Sequence, residues 1–258
     1  MAGRRARRAR PARAPSQHFL HSRRLAAELV ADACVGPDDL VVEVGAGTGL
    51  LTAELARVAG RVIAVELDAN LAARLRGRFR GVEVVEVDAT QLELPTERFV
   101  VVANLPFART SDLLHHLLDD PRSWLRRADV VVEWAVAHRL AVPWPSSLKG
   151  VLWSAHYTIV LARRLPRGAF VPAPAVDAGV LVFERRSRPL VAAADVPAYH
   201  RFVAAGFRHG LGAVVSRREL DRLGSDASTA RELDARQWAT LFEWRPSDRA
   251  GKKRSPSS

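Results

Sequence analysis

Five short apolar runs, separated by glycine turns, single polar residues and stretches of helical periodicity, constrain this chain more than any other feature. The runs cover 40–44, 61–65, 82–87, 99–103 and 129–133, and helical patterns fill 50–58, 70–79 and 111–118. Strands alternating with helices of about ten residues predict an α/β fold with a parallel, doubly wound sheet. Ligands of such sheets sit outside the carboxyl ends of the strands. The polar residues of interest gather at those ends: the stretch from Glu43 through the loop to Gly49, then Glu66, Asp88 and Asn104. Two late runs, 157–161 and 179–183, are further strand candidates. Beyond Pro189 the pattern changes. Val196, Tyr199, Phe202, Val203 and Phe207 fall at helical spacing, and Asp234-x-x-Gln237 opens a capped helix carrying Trp238, Leu241 and Phe242. The expected organisation is a basic arm over 1–15, an α/β domain over 16–188, a small helical domain over 189–246 and a basic tail over 247–258.

The 258 residues allow one or two domains with a sizeable core. One cysteine excludes an internal disulfide framework and fits a reducing compartment, so a cytoplasmic location is expected. No apolar run approaches the roughly 18–20 residues that span a bilayer, so no membrane association is expected. The formal charge of +11 points to a polyanionic partner, most simply nucleic acid. Genomic base composition explains part of the arginine excess but not its placement. Residues 1–13 are free of acids, and Lys252-Lys253-Arg254 lies in a polar tail. Both ends read as disordered basic arms. A transit peptide is the competing reading of the first arm; it lacks an apolar segment for secretion, and RNA contact is preferred.

Gly45-x-Gly47-x-Gly49 follows one strand and precedes a helix, allowing close backbone approach to a ligand. A dinucleotide fingerprint requires Gly or Ala at its sixth position, where this chain has Leu50. Glu66 stands about twenty residues after the loop starts, where an acid accepts ribose hydroxyls. Asp88 closes the third strand and suits an adenine amino group. There is no Gly-Lys-Ser/Thr for phosphates. An adenosine site without phosphate ligands fits S-adenosyl-L-methionine better than NAD. At the end of the fourth strand, Asn104-Leu105-Pro106-Phe107 combines an amide for a base edge with an aromatic ring for its face. By itself this tetrapeptide reads first as a turn ending a strand, and its context changes that.

Four ordered motifs carry a resemblance: Ser16-Gln17-His18-Phe19-Leu20, Glu43-Val-Gly-Ala-Gly-Thr-Gly49, Asn104-Leu-Pro-Phe107 and Phe170-Val-Pro-Ala-Pro-Ala-Val-Asp177. Together they resemble the rRNA adenine N6-methyltransferase family, which includes the Erm macrolide-resistance enzymes and the housekeeping small-subunit dimethyltransferases. The resemblance implies a Rossmann-like class I S-adenosylmethionine-dependent methyltransferase domain with a small C-terminal α-helical domain that binds RNA. It implies methyl transfer to N6 of an extruded adenine without a metal or an obligatory side-chain base. Asn104 and the Leu105 carbonyl would accept the two N6 hydrogens, Phe107 would stack on the base, and Phe170 would close its other side. Gln17, Phe19 and Leu20 would line the cofactor pocket, and Gly45, Gly47, Glu66, Asp88 and Asn104 would hold the cofactor. His18 stands where members often carry Asn.

The arginine-rich arm and the Ser-Gln-His-Phe-Leu start resemble actinobacterial Erm members, so the expected partner is 23S rRNA, naked or pre-ribosomal, with the chain acting as a monomer and conferring macrolide-lincosamide-streptogramin B resistance. A housekeeping 16S enzyme would carry Asn-Leu-Pro-Tyr-Asn and a Gln-Lys-Glu stretch, where this chain has Phe107-Ala108 and Val132-Glu133-Trp134. A noncatalytic RNA-binding descendant of the fold is the reading from another class; the intact loop and strand-end acids speak against it. His115-His116 read as surface or packed residues, Cys34 as structural in an apolar helix, and Trp134, Trp144, Trp153 and Trp238 as core rather than RNA contacts. The runs Arg163-Arg164-Leu-Pro-Arg167 and Arg185-Arg186-Ser-Arg188 read either as phosphate contacts or as solvated faces.

Overall fold

The computed structural model describes residues 18–141 and 147–245. Gln17, Trp144 and the basic stretches 1–15 and 247–258 lie outside the described residues. The chain opens with a two-residue strand β1 (Phe19–Leu20) and helix α1 (Arg23–Asp32), whose first turn is capped by Ser22 Oγ accepting from Leu25 N at 3.2 Å. Alternating units follow: β2 (Leu40–Val44), α2 (Leu50–Val58), β3 (Arg61–Glu66), α3 (Ala69–Arg78), β4 (Glu83–Glu86), β5 (Phe99–Asn104), α4 (Thr110–Leu118) and β6 (Leu125–Glu133). Helices α5 (Trp134–Ala141) and α6 (Leu148–Ser154) precede β7 (Tyr157–Leu165), the short β8 (Phe170–Val171) and β9 (Ala178–Arg185). The last elements are α7 (Val196–His209), α8 (Arg217–Leu223) and α9 (Ala235–Glu243).

The main sheet has seven strands in the order β4-β3-β2-β5-β6-β9-β7. Its first five strands are parallel, as their apolar runs predict, whereas β9 is antiparallel to both β6 and β7. The wholly parallel sheet expected from the repeat of strand and helix therefore ends at β6. The short connection from β7 back to β9 cannot house a crossover helix, and a parallel pair needs one.

Alternate residues of the central strands face opposite layers. Val42, Val44, Val101 and Ala103 pack with Leu113, Leu114 and Leu117 of α4, while Val41, Val100 and Val102 pack with Leu29 of α1 and Leu55 of α2. With both faces covered, β2 and β5 are apolar along their length apart from the buried Glu43 and the terminal Asn104. A separate core joins Tyr199, Phe202 and Val203 of α7 to Trp238 and Leu241 of α9, and it draws in Val151 and Leu152 of α6. The helical unit is thus rooted in residues that precede β7. Asp234 and Gln237 form the reciprocal cap that opens α9.

Two expectations change. Cys34 does not lie in a helix: α1 stops at Asp32, and Cys34 follows its cap, exposed and at a φ of 52°. Arg185 and Arg186 are not free for phosphates. Arg185 donates to the carbonyls of Leu125, Pro121 and Ser123 and to Tyr157 Oη, closing the start of β6 against β7 and β9. Arg186 donates to the Ser154 carbonyl. Arg163 pairs with Glu28, and Arg164 with Asp177. Arg185→Ala should therefore cost about 2–4 kcal/mol of stability, because three carbonyls lose a charged donor. Denaturant melts should show the loss; an unchanged melt with weakened RNA binding would restore the phosphate reading. His115 and His116 bond separately, to Asp119 and to the Leu92 carbonyl. Trp153 and Trp238 are buried, and Trp134 is half-buried beneath the Arg164 guanidinium. Among the described residues no helix is long and apolar enough to cross a membrane, and no His, Cys, Asp and Glu cluster is arranged to hold a metal ion.

Candidate active site

The carboxyl ends of β2, β3, β4 and β5 converge on one cleft with about 720 Å³ of atom-free space, part of it open to solvent. After β2 the chain turns through Gly45, Gly47 and Gly49, all at positive φ (72°, 56° and 78°), which side chains disfavour. The turn is fixed by Gly45 N–H and Ala46 N–H donating to the Val65 carbonyl (2.9 and 3.0 Å). It is fixed again by Gly47 N–H donating to Glu66 Oε2 at 2.7 Å. A Cβ on Gly47 would stand 2.8 Å from the Phe19 ring, so the loop and β1 close on each other only without one.

Glu66 is buried at the tip of β3, and its second oxygen accepts Asp68 N–H at 2.9 Å. Each carboxylate oxygen retains lone-pair capacity toward the cleft, where Glu66 is part of the wall. Asp88 follows β4. Its Oδ1 accepts the Thr90 N–H and hydroxyl, and its Oδ2 faces the Arg109 guanidinium. The Thr90 bonds, with Arg109 nearby, hold the Asp88 carboxyl below the usual carboxylate range.

Asn104 ends β5. Its Nδ2 donates to the His18 carbonyl at 2.7 Å, which assigns the two amide atoms and turns Oδ1 inward. That Oδ1 is buried and has no hydrogen-bond partner. Leaving such an acceptor unpaired costs about 1–3 kcal/mol. Leu105 N–H donates to the Val131 carbonyl, locking the backbone beside the amide. The Pro106 carbonyl is taken by Arg109 N–H and Thr110 Oγ1.

The wall is completed by β1, paired antiparallel with β8 so that Phe19 faces Val171 and Leu20 faces Phe170. His18 Nδ1 donates to the Pro172 carbonyl (2.8 Å), and its ring lies 5.4 Å from that of Phe107. Phe19, Gly45, Glu66, Asp88, Asn104, Leu105 and Phe107 thus surround one space. Leu20 lines an adjoining pocket with Glu43, Gly45 and Asn104, and Gly47 acts from behind through Glu66. Phe170 does not reach the cleft wall. It is 2% exposed, packed in the core against α1 and α2, with its edge toward Phe107 at 6.2 Å between centroids. Its β8 position turns the side chain inward, against Phe107.

Several wall residues carry no motif signal in the sequence, Leu67 and Arg109 among them. Leu67 is 63% exposed at the rim, and Arg109 projects from the turn after Phe107. Leu67 follows a strand-end acid, a position that invites contact with the same ligand; nothing local singles out Arg109. Glu43 is buried with Oε2 unpartnered, and burial pushes its carboxyl up to about 8. Thr52 pulls the other way but forms no hydrogen bond through its hydroxyl, so burial dominates.

The donor set fits S-adenosylmethionine. A glycine cradle, a ribose-type acid, a base-type acid and apolar walls suit an adenosine, and the positive charge present, Arg109, is already engaged by Asp88 and Asp112 instead of being open to a phosphate.

Known proteins with this arrangement are consistent in kind. The chain is similar to an rRNA adenine N-6-methyltransferase of Bacillus licheniformis, 31% identical over 73% of this chain and 64% of that protein. The match thus spans less than two thirds of that relative's length. It is similar to mycinamicin-resistance protein MyrB of Micromonospora griseorubida (35% identical; 88% of this chain, 76% of that protein). It is also similar to ribosomal RNA small subunit methyltransferase A of Geobacter sulfurreducens (34%; 77% and 76%). Among solved structures, 23S rRNA methyltransferase ErmE superposes with a TM-score of 0.75 at 28% identity, covering 87% of this chain and 98% of that one. The Rossmann-like sheet with its helical appendage is therefore the methyltransferase fold of that neighbour. The family model for ribosomal RNA adenine dimethylase matches residues 12–227, which takes in the glycine loop, the strand-end acids and the Asn104 turn, and the chain belongs to that family.

Proposed function

We propose that this chain transfers a methyl group from S-adenosyl-L-methionine to N6 of an extruded adenine in 23S rRNA, protecting the ribosome against macrolide, lincosamide and streptogramin B drugs. The observation that carries the chemistry is the unpaired, buried Asn104 Oδ1 at the cleft that Glu66 and Asp88 also line. The names of MyrB and ErmE support the resistance and large-subunit parts of the reading.

When bound, S-adenosylmethionine supplies an electrophilic methyl group on a sulfonium. The protein's task is to make an adenine N6, whose lone pair is delocalised into the ring, a competent nucleophile. Asn104 Oδ1 and the Leu105 carbonyl accept the two N6 hydrogens and favour a nitrogen whose lone pair leaves the ring plane. Glu66, Asp88 and the glycine loop would hold the methyl donor, and solvent would take the surplus N6 proton. Catalysis is alignment plus fixed dipoles, with Asn104 held by its bond to His18. Phe107 stacks on the base, worth roughly 1–3 kcal/mol, against the few kcal/mol that extrusion costs. The helical unit of α7–α9 and the basic ends hold RNA through phosphates, which position without specifying. The enzyme works as a cytoplasmic monomer on naked or pre-ribosomal RNA.

The runner-up, a small-subunit dimethyltransferase, is favoured by the equally similar Geobacter protein. Phe107-Ala108 and Val132-Glu133-Trp134 stand against it. Incubating the protein with protein-free large-subunit rRNA and, separately, with small subunits, then mapping N6-methyladenine by primer-extension stops, separates them. Modification of large-subunit RNA alone is expected; modification confined to small subunits would reject the resistance reading.

A further inference from the structure

Among the described residues lining the cleft, Arg109 is the sole Arg or Lys, and it sits on the acid assigned to the adenine amine. Asp88 Oδ1 accepts Thr90 N–H at 2.9 Å and Thr90 Oγ1 at 2.7 Å. Asp88 Oδ2 accepts Arg109 Nη1 and Nη2, both at 3.3 Å. A carboxylate offers about four lone-pair sites, so the bonds to Thr90 and Arg109 fill Asp88.

The two partners differ in strength. The Thr90 bonds are short and close a tight local turn. The guanidinium contacts are long for charge-assisted bonds, which settle near 2.7–2.9 Å, and the Arg109 side chain is 42% exposed. Arg109 also has a second partner in reach, since its Nε lies 3.3 Å from Asp112 Oδ2. A guanidinium held loosely at one carboxylate and tethered to another can leave the first without becoming unpaired.

We propose that Arg109 is a displaceable latch on Asp88, competing with the 6-amino group of the cofactor's adenine for Oδ2 and swinging to Asp112 when the cofactor binds. The latch rests on the reading that the adenine docks at Asp88. It makes Arg109 a specificity-determining residue for the cofactor: a purine with an amine at position 6 displaces it, and a purine with a carbonyl there gains nothing by doing so.

The test is isothermal titration of S-adenosylhomocysteine and S-inosylhomocysteine, which differ in the 6-substituent, into the full chain, Arg109→Ala and Asp88→Asn. The wild type should prefer the adenosyl ligand, and Asp88→Asn should lose most of that preference. Arg109→Ala should bind S-adenosylhomocysteine about three- to fivefold more tightly, the size expected of a partly exposed ion pair, and should not tighten for S-inosylhomocysteine. Raising salt from 0.05 to 0.5 M should strengthen adenosyl binding to the wild type toward the Arg109→Ala value and leave the variant flat. Unchanged or weaker adenosyl binding by a folded Arg109→Ala, or equal tightening for both ligands, overturns the latch while the Asp88-dependent preference stands. Absence of that preference, with Asp88→Asn inert, overturns the docking reading as well.

Discussion

Asn104→Ala is expected to lower kcat for methyl transfer by about 10²- to 10³-fold, the loss that follows removal of one preorganised polar contact in other active sites. Cofactor affinity should change only a few-fold, because Glu66, Asp88 and the glycine loop remain. The expectation rests on the amide's two ends doing different jobs. Nδ2 is spent on the His18 carbonyl at 2.7 Å, and Oδ1 is buried with nothing to accept from. Asn104→Asp keeps an acceptor but places an anion against the His18 carbonyl, so it should also be impaired. Single-turnover transfer to 23S rRNA fragments at saturating cofactor, with cofactor binding measured separately, checks both. Transfer by Asn104→Ala at the wild-type rate would falsify the assignment.

The second large effect concerns stability. The Glu43 carboxyl lies at 1% exposure where β2 meets the glycine loop, and burial pushes it from its ordinary 4.5 up to about 8. A raised carboxyl pKa stabilises the fold in its neutral form. That contribution is fully present below pH 4.5, declines as the pH rises, and is gone above about pH 8. The span corresponds to something on the order of 5 kcal/mol. Glu43→Gln holds the neutral shape at every pH. It should match the wild type near pH 4.5 and exceed it increasingly toward pH 8, by about 10 °C in melting temperature for a chain of this size. Scanning calorimetry at pH 4.5, 6.5 and 8 reads the divergence; a constant difference across that range would rule out a titrating Glu43.

How much of this was legible in the residues depends on distance along the chain. The strand at 40–44, the helix at 50–58 and the Asp234–Gln237 cap appear where patterning puts them, because periodicity and capping are set by residues a few places apart. The antiparallel return of β9 was not visible, since an apolar run looks the same in either direction. A resemblance supplies residues and not side-chain directions, so the burial of the Phe170 ring, which its place on β8 opposite Leu20 turns into the core, comes from the tertiary structure. Arg185 read as an exposed cation, yet its fork fits three carbonyls about sixty positions away.

The sequence by itself determined the parallel part of the sheet and the gathering of Gly45, Glu66, Asp88 and Asn104 at one edge, because parallel strands all bring their carboxyl ends to the same side. Tertiary structure alone decided what each of those residues touches. The bond that leaves Asn104 Oδ1 open joins residues 86 positions apart, and the Arg109 contact with Asp88 spans 21. Such pairs depend on how strands align and loops return, which no local pattern of residues encodes.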